Sequence, residues 1–120
     1  MQELVRKIVP SEMDGMQIEI EDFIAMYNEK KCELIDVRVP FETAVWQLNF
    51  GLKIPANELP DRLDELPKDK LIVVACPRTN RSNMARIYLS TEGFEVKYLI
   101  GGLLGLMDAL KGGKAKGIKL

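Results

Sequence analysis

The chain has 120 residues, of which 47% are hydrophobic and 29% charged, as is typical of one globular domain with a single core. A formal net charge of −1 gives no electrostatic reason to expect a nucleic acid or an anionic membrane as partner. Histidine is absent, which excludes a Ser-His-Asp triad, a Cys-His pair and a zinc site built from cysteine and histidine. No apolar stretch approaches transmembrane length and the N-terminus lacks the apolar core of a signal peptide, so we expect a cytoplasmic protein with free thiols.

The first half of the chain alternates short β-rich runs with amphipathic stretches. Three runs predict short strands, at residues 17–20, 34–37 and 52–54. Helical signals follow each strand: an apolar stripe over 21–28, a proline start at Pro40, and a cap at Asn57 with a stop at Pro67. Residues 1–16 precede this pattern as an N-terminal extension, in which Leu4, Val5, Ile8 and Val9 predict an extra strand or helix.

The second half begins with a continuous apolar run, residues 71–75, which is typical of a central strand covered on both faces. A helix over 82–91, a strand over 96–100, a turn at Gly101-Gly102 and a helix over 103–110 follow. This alternation with short connections predicts an α/β fold: a mostly parallel sheet of about five strands with helices on both faces. We therefore expect one domain with its core at about 17–110, and a solvated, flexible tail rich in lysine and glycine at 111–120.

The segment "CPRTNRS" (76–82) lies where the central strand gives way to the next helix. In open parallel sheets, ligands bind beyond the carboxyl ends of the strands. The N–H groups at a helix start lack intrahelical acceptors and carry partial positive charge, which favours a thiolate, a persulfide or an oxyanion. Arg78 and Arg81 add to that field. Cys76 is therefore predicted to be a nucleophile rather than a small buried hydrophobe that ends a strand, whereas Cys32, without a basic loop, is predicted to be a packed thiol.

Four short motifs in the correct order resemble the rhodanese-like family of single-domain sulfurtransferases. They are "LIDVRVPFE" (34–42), "IPANEL" (54–59), "CPRTNRS" (76–82) and "EGFEVKYLIGGLLGL" (92–106). The third resembles the family's active-site loop, a cysteine followed by four residues and an arginine. Each motif alone is weak, but the four in order are strong; the resemblance covers about residues 17 to 110 and implies the rhodanese-like fold.

The resemblance implies that Cys76 takes the outer sulfur of a donor such as thiosulfate and becomes a persulfide. Cyanide, a small-molecule thiol or a protein acceptor then removes the sulfur, and no cofactor is required. The implied loop that binds persulfide and substrate comprises Pro77, Arg78, Thr79, Asn80, Arg81 and Ser82. Arg78 is expected to bind an anionic donor. Arg81 either faces the substrate or pairs with a carboxylate that holds the loop, and Asp36, Arg38 and Glu42 are expected to support loops rather than catalyse.

Two residues of the loop depart from the family pattern. The family often has glycine where this chain has Thr79, so left-handed backbone is expected there, at a cost of about 1 kcal/mol or more for a β-branched residue. Pro77 removes one N–H group from the sulfur site. These departures keep a second interpretation open, a non-catalytic rhodanese-like module that binds a partner or senses a sulfur species. Its discriminating observation is whether Cys76 gains a sulfur atom.

A third interpretation is a cysteine phosphatase or arsenate reductase on a related scaffold. Those loops hold a tetrahedral oxyanion and have five residues between cysteine and arginine, whereas four separate Cys76 from Arg81 here. One residue fewer predicts a tighter ring of N–H groups, which suits a single sulfur atom. The spacing thus favours a sulfur carrier over a phosphatase.

Overall fold

The computed structural model describes residues 1–120 and contains one sheet of five strands. The strands are β1 (Gln17–Ile18), β2 (Cys32–Asp36), β3 (Leu52–Lys53), β4 (Leu71–Ala75) and β5 (Val96–Leu99). Their order across the sheet is β1-β5-β4-β2-β3, and every neighbouring pair is parallel. The predicted parallel sheet with a central strand over 71–75 is confirmed.

Six α-helices accompany the sheet: α1 (Gln2–Arg6), α2 (Pro10–Met13), α3 (Ile20–Asn28), α4 (Pro40–Val45), α5 (Asn80–Thr91) and α6 (Gly102–Leu110). Helices α3 and α6 contribute side chains to the core on one face of the sheet, and α5 contributes to the core on the other. None of the helices is both long and apolar enough to cross a bilayer.

The central strand β4 supplies both faces of the core because successive side chains of a strand point to opposite sides. Leu71, Val73 and Ala75 belong to the cluster that α3 and α6 cover. The alternate side chains of the strand, Ile72 and Val74, belong to the cluster that α5 covers. Every residue of β4 is buried, which explains why the strand reads as an uninterrupted apolar run rather than an alternating one.

Two local predictions on the α5 side of the sheet were wrong. The helix expected from Asn57 is a pair of 3₁₀ segments, Ala56–Asp61 and Leu63–Glu65. Pro60 lies inside the first segment and has no N–H to donate to an α-helical ladder, which accounts for the short turns. Helix α5 starts at Asn80 rather than at Ser82, so the loop after β4 is two residues shorter than expected.

Both chain ends carry structure outside the sheet. The N-terminal extension forms α1 and α2, neither of which buries a residue. The tail was expected to be solvated, and every residue of 111–120 except Ile118 is exposed; within it, residues Gly112–Gly117 form a 3₁₀ segment. Asn28 in α3 donates to the carbonyl oxygen of Gly117 at 2.8 Å and accepts from the amide of Lys119 at 2.8 Å, and Ile118 packs on the core. The hydrogen bonds of one asparagine thus hold the tail against α3.

Candidate active site

Cys76 follows the last residue of β4 and continues the alternation of that strand, so its side chain joins the core cluster on the α5 side. The residue is only 2% exposed. It lines a pocket of about 200 Å³ together with Pro77, Arg78, Thr79, Asn80 and Arg81. The predicted reactive cysteine is therefore enclosed, and the loop residues form the walls of the space that leads to it.

The backbone N–H groups of the residues around this pocket are mostly free of acceptors. The amide of Ser82 donates to Sγ of Cys76 at 3.4 Å. The amides of Arg78, Thr79, Asn80 and Arg81 donate to no acceptor within the chain, since they precede or open α5. Four unpaired donors beside a thiol, at the positive end of a 12-residue helix, form a site for an anion or a polarisable sulfur.

The strain expected at Thr79 does not occur. Thr79 has φ −140° and ψ −22° and is the cap residue of α5, and it is not among the residues with positive φ. Its carbonyl oxygen accepts from Oγ of Ser82 at 3.0 Å and from the amide of Asn83 at 2.9 Å. A cap residue has non-helical but negative φ, so a β-branched side chain fits where the family often has glycine.

Helix α6 supports the loop from behind. The amide of Leu103 donates to the carbonyl oxygen of Cys76 at 2.8 Å, and the amide of Leu104 donates to that of Pro77 at 3.3 Å. Gly102 makes this approach feasible: a Cβ atom there would lie 2.2 Å from the carbonyl oxygen of Arg78 and 2.7 Å from that of Cys76. The sequence predicted only a turn at Gly101-Gly102. The close packing of Gly102 against the loop carbonyl oxygens was not predicted.

Asp36 and Arg38 form a buried ion pair at the carboxyl end of β2, beside the end of β4 in the sheet. Nη2 of Arg38 donates to Asp36 at 2.8 Å and to the carbonyl oxygen of Trp46 at 3.2 Å, and the guanidinium stacks 4.2 Å from the centre of the Trp46 ring. Arg38 is 2% exposed and Asp36 4%. These contacts tie the segment after α4 to the sheet and leave neither side chain free for substrate.

Arg81 is paired with Glu42 in a two-pronged ion pair that joins α5 to α4. The two guanidinium nitrogens lie 2.5 and 2.9 Å from the two carboxylate oxygens. Hydrogen bonding from Arg81 lowers the pKa of Glu42 to about 2, and the same contact raises the pKa of Arg81. Of the two expectations for Arg81, the geometry corresponds to the one in which a carboxylate pairs with it and holds the loop.

Arg78 differs from Arg81 in having no carboxylate partner. Its side chain is exposed and it forms no ion pair in the chain, yet it lines the pocket above Cys76. An unpaired guanidinium at the mouth of a pocket attracts a small anion. The two arginines of the loop thus have separate environments.

Cys32 lies far from this chemistry. It opens β2 and pairs in register with Leu71, whereas Asp36 at the other end of the strand pairs with Ala75, next to Cys76. Cys32 therefore lies at the amino ends of the parallel strands, and Cys76 lies at their carboxyl ends. Cys32 is 3% exposed, and burial is the main cause that raises its pKa to about 11. Its environment is that of a packed, unreactive thiol.

A parallel α/β sheet with a buried cysteine directly after its central strand, in a loop with unpaired backbone N–H groups, places the chain among α/β proteins with a cysteine loop. The model of the family "Rhodanese-like domain" matches residues 19–109. The chain belongs to the rhodanese-like domain family, which confirms the resemblance found in the sequence.

Individual relatives agree with this assignment. The chain is 36% identical over 72 residues to a "Sulfurtransferase" of Allochromatium vinosum, which covers 59% of this chain and 67% of that protein. It is 30% identical over 107 residues to the tRNA uridine(34) hydroxylase of Buchnera aphidicola, covering 82% of this chain. Among solved structures, reduced CoADR-RHD of Bacillus anthracis superposes with a TM-score of 0.71 at 32% identity over 81% of this chain.

The lengths of these relatives differ widely. The chain spans 33% of the Buchnera hydroxylase and 18% of the Bacillus anthracis chain. In those proteins the similar region is one part of a larger molecule. The common element is the rhodanese-like domain itself.

Proposed function

We propose that the chain is a sulfurtransferase that carries a sulfane sulfur as a persulfide on Cys76. The observation that carries the proposal is the Cys76 thiol in a pocket lined by residues 76–81, where the Ser82 amide donates to Sγ at 3.4 Å and the four amides of residues 78–81 have no acceptor within the chain. Such donors stabilise negative charge that develops on an added sulfur atom. The similarity to a sulfurtransferase of Allochromatium vinosum supports the same class of reaction.

In the first half-reaction, the thiolate of Cys76 attacks the outer sulfur of thiosulfate. A new bond forms between Sγ and that sulfur, the sulfur–sulfur bond of the donor breaks, and sulfite leaves with the electron pair. Arg78, the unpaired cation at the pocket, binds the anionic sulfonate portion of the donor. Arg81, held by Glu42, keeps the start of α5 in place and so acts as a positioning residue.

In the second half-reaction, a nucleophile attacks the outer sulfur of the Cys76 persulfide. Cyanide leaves as thiocyanate, and a thiol leaves as a persulfide. In both cases the bond between Sγ and the outer sulfur breaks, and its electron pair returns to Cys76 as the thiolate. The chain supplies every group that these steps use, and no cofactor enters them.

The alternative of a non-catalytic module was left open by two departures, the expected strain at Thr79 and the N–H group that Pro77 lacks. The negative φ of Thr79 weakens the first of these, because the loop needs no glycine there. The phosphatase alternative needs room for a tetrahedral oxyanion, and the short spacing from Cys76 to Arg81 argues against it. Aryl phosphate turnover that disappears in Cys76→Ser would overturn this preference.

The test is to incubate the protein with thiosulfate, remove the donor and record the intact mass. We expect a one-sulfur adduct in the wild type and in the matched control Cys32→Ser, and none in Cys76→Ser. Absence of the adduct with thiosulfate, with an organic thiosulfonate and with a polysulfide would contradict the proposed function. An adduct that persists in Cys76→Ser would contradict the assignment of the site.

A further inference from the structure

An apolar groove lies beside the active-site loop, between α5 and the 3₁₀ segment Ala56–Asp61. Its volume is about 310 Å³, and five of its eight lining residues are hydrophobic. The residues that form its walls and floor include Ala56, Leu59, Met84, Ala85 and Tyr88. Met84 is 71% exposed at the rim and adds apolar surface to the groove.

The groove adjoins the pocket above Cys76. Arg81 lines both spaces. Leu59 and Ala85, in the floor of the groove, belong to the same core cluster as Cys76. A molecule with one end in the groove therefore has its other end beside the loop that carries the reactive sulfur.

The charge of the groove favours an uncharged occupant. Arg81 is its one cationic lining residue, and both prongs of that guanidinium are bonded to Glu42. The unpaired cation, Arg78, lines the pocket above Cys76 and is absent from the groove. The two spaces thus favour different ligands. The pocket attracts an anion, and the groove favours an uncharged apolar group.

The volume of the groove decides how large this occupant is. A cavity of about 150 Å³ is enough to hold benzene, and small-molecule sites start at about 300 Å³. At about 310 Å³ the groove accommodates one aromatic ring or a short branched chain. It is too small to seat an extended face of another protein.

We propose that the groove binds the non-reacting apolar arm of a small organic thiol that accepts the sulfur from Cys76. This inference rests on the proposed function and adds the class of acceptor. The sulfur of the bound thiolate attacks the outer sulfur of the Cys76 persulfide, the bond to Sγ breaks, and its electron pair returns to Cys76. The products are the persulfide of the thiol and the free Cys76 thiolate. Apolar contacts in the groove orient the thiol for this attack.

The test compares two thiols as acceptors from the purified Cys76 persulfide: benzyl mercaptan, which carries an aromatic arm, and 2-mercaptoethanol, which carries a polar one. The quantity measured is the ratio of their kcat/KM values, so that intrinsic differences in reactivity cancel between variants. Ala56→Leu fills the groove, and Met84→Gln makes its rim polar. Ala115→Leu and Met107→Gln are matched controls, since both residues are exposed and neither lines the groove.

We expect Ala56→Leu to lower the ratio by about tenfold and Met84→Gln by about threefold, with both controls within about twofold of wild type. The rate with 2-mercaptoethanol stays near wild type in all four variants. A ratio that is unchanged in Ala56→Leu and Met84→Gln overturns the inference and leaves the proposed function intact. Failure of the wild type to form any persulfide overturns the proposed function, and the inference falls with it.

Discussion

The amide of Leu103, in the first turn of α6, donates to the carbonyl oxygen of Cys76 at 2.8 Å. This bond ties the N-terminal end of one helix to the backbone of Cys76. The N–H groups at the start of α6 have no intrahelical acceptors, so the loop carbonyls satisfy them. The same contact fixes the position of the loop relative to α6. The loop around Cys76 is thus positioned from two sides, by α5 ahead of it and by α6 behind it.

Gly102 permits that contact, and we predict that Gly102→Ala disrupts it. The added Cβ would approach the carbonyl oxygens of Arg78, Pro77 and Cys76 within 2.2 to 2.7 Å. Either the loop or α6 must move, so we expect persulfide formation to fall by at least about tenfold, together with a loss of stability of about 1–3 kcal/mol. Stopped-flow measurement of donor consumption gives the rate of persulfide formation, and urea unfolding gives the change in stability.

Gly112→Ala is the matched control for this substitution. Gly112 has φ +58°, close to the +61° of Gly102, but nothing lies within 4 Å of its would-be Cβ. It carries the same backbone cost without the clash. Equal losses of activity in the two variants would contradict a positioning role for Gly102.

The buried pair of Asp36 and Arg38 makes a second prediction, on stability. Arg38→Met leaves the Asp36 carboxylate buried without its partner, and we expect the free energy of unfolding to fall by about 3–5 kcal/mol. The double variant Asp36→Asn/Arg38→Met removes the unpaired charge and should recover part of that loss. Arg62→Met is the control, because Arg62 pairs with Glu58 and Glu65 at the surface and should cost about 1 kcal/mol or less. A double variant no more stable than Arg38→Met would contradict the account.

A third prediction concerns the pH dependence of stability. The pKa of Glu42 falls from its ordinary value of 4.5 to about 2 when Arg81 pairs with it in the folded chain. A carboxyl with a lowered folded pKa stabilises the fold above its unfolded pKa, and this contribution is lost as the pH falls from about 4.5 to about 2. Because the Arg81 side chain is 43% exposed, solvent reduces the contribution to about 1 kcal/mol or less at neutral pH.

Glu42→Gln tests this directly. Its unfolding free energy should decline less steeply with acid between pH 4.5 and 2 than that of the wild type. Glu12→Gln, which replaces an exposed glutamate without an ion pair, should keep the wild-type slope. Identical slopes for wild type and Glu42→Gln would show that the pair with Arg81 contributes nothing to folding.

The fourth prediction separates the two arginines of the loop by steady-state kinetics. Arg78→Ala should raise the KM for thiosulfate by about tenfold and lower kcat less, since Arg78 is assigned to donor binding. Arg81→Ala should lower kcat more than it raises KM, because its contact with Glu42 positions the loop. Arg6→Ala, an exposed arginine in α1, should change neither constant. An unchanged KM in Arg78→Ala would remove its role in binding the donor.

Local signals in the sequence were enough to predict the sheet and the position of Cys76 directly after its central strand. The apolar run of β4 and the arginines that follow it lie close together in the sequence, so a few neighbouring residues were enough to predict a strand followed by a basic loop. Thr79 was interpreted through the family's glycine, and that expectation was wrong because its backbone is set by the start of α5 at Asn80. The turns around Pro60 were likewise misjudged, since one proline outweighed an amphipathic pattern.

Other features depend on contacts between distant parts of the chain, which no local pattern encodes. The approach of Gly102 to the loop joins residues some two dozen positions apart, and only the folded backbone shows that a Cβ would collide. The tail was judged by its composition, whereas its placement follows from the two hydrogen bonds of Asn28. Which arginine is free and which is paired also depends on where α4 brings Glu42.

We propose that Cys76 carries a sulfane sulfur as a persulfide and transfers it to an acceptor such as cyanide. A single-turnover experiment tests this most directly: the protein is loaded with thiosulfate, freed of donor, and mixed with cyanide while the intact mass and the thiocyanate formed are measured together. We expect the one-sulfur adduct to disappear with the release of one thiocyanate per adduct. Cys76→Ser should form neither the adduct nor thiocyanate. An adduct that cyanide cannot remove, or thiocyanate formed equally by Cys76→Ser, would contradict it.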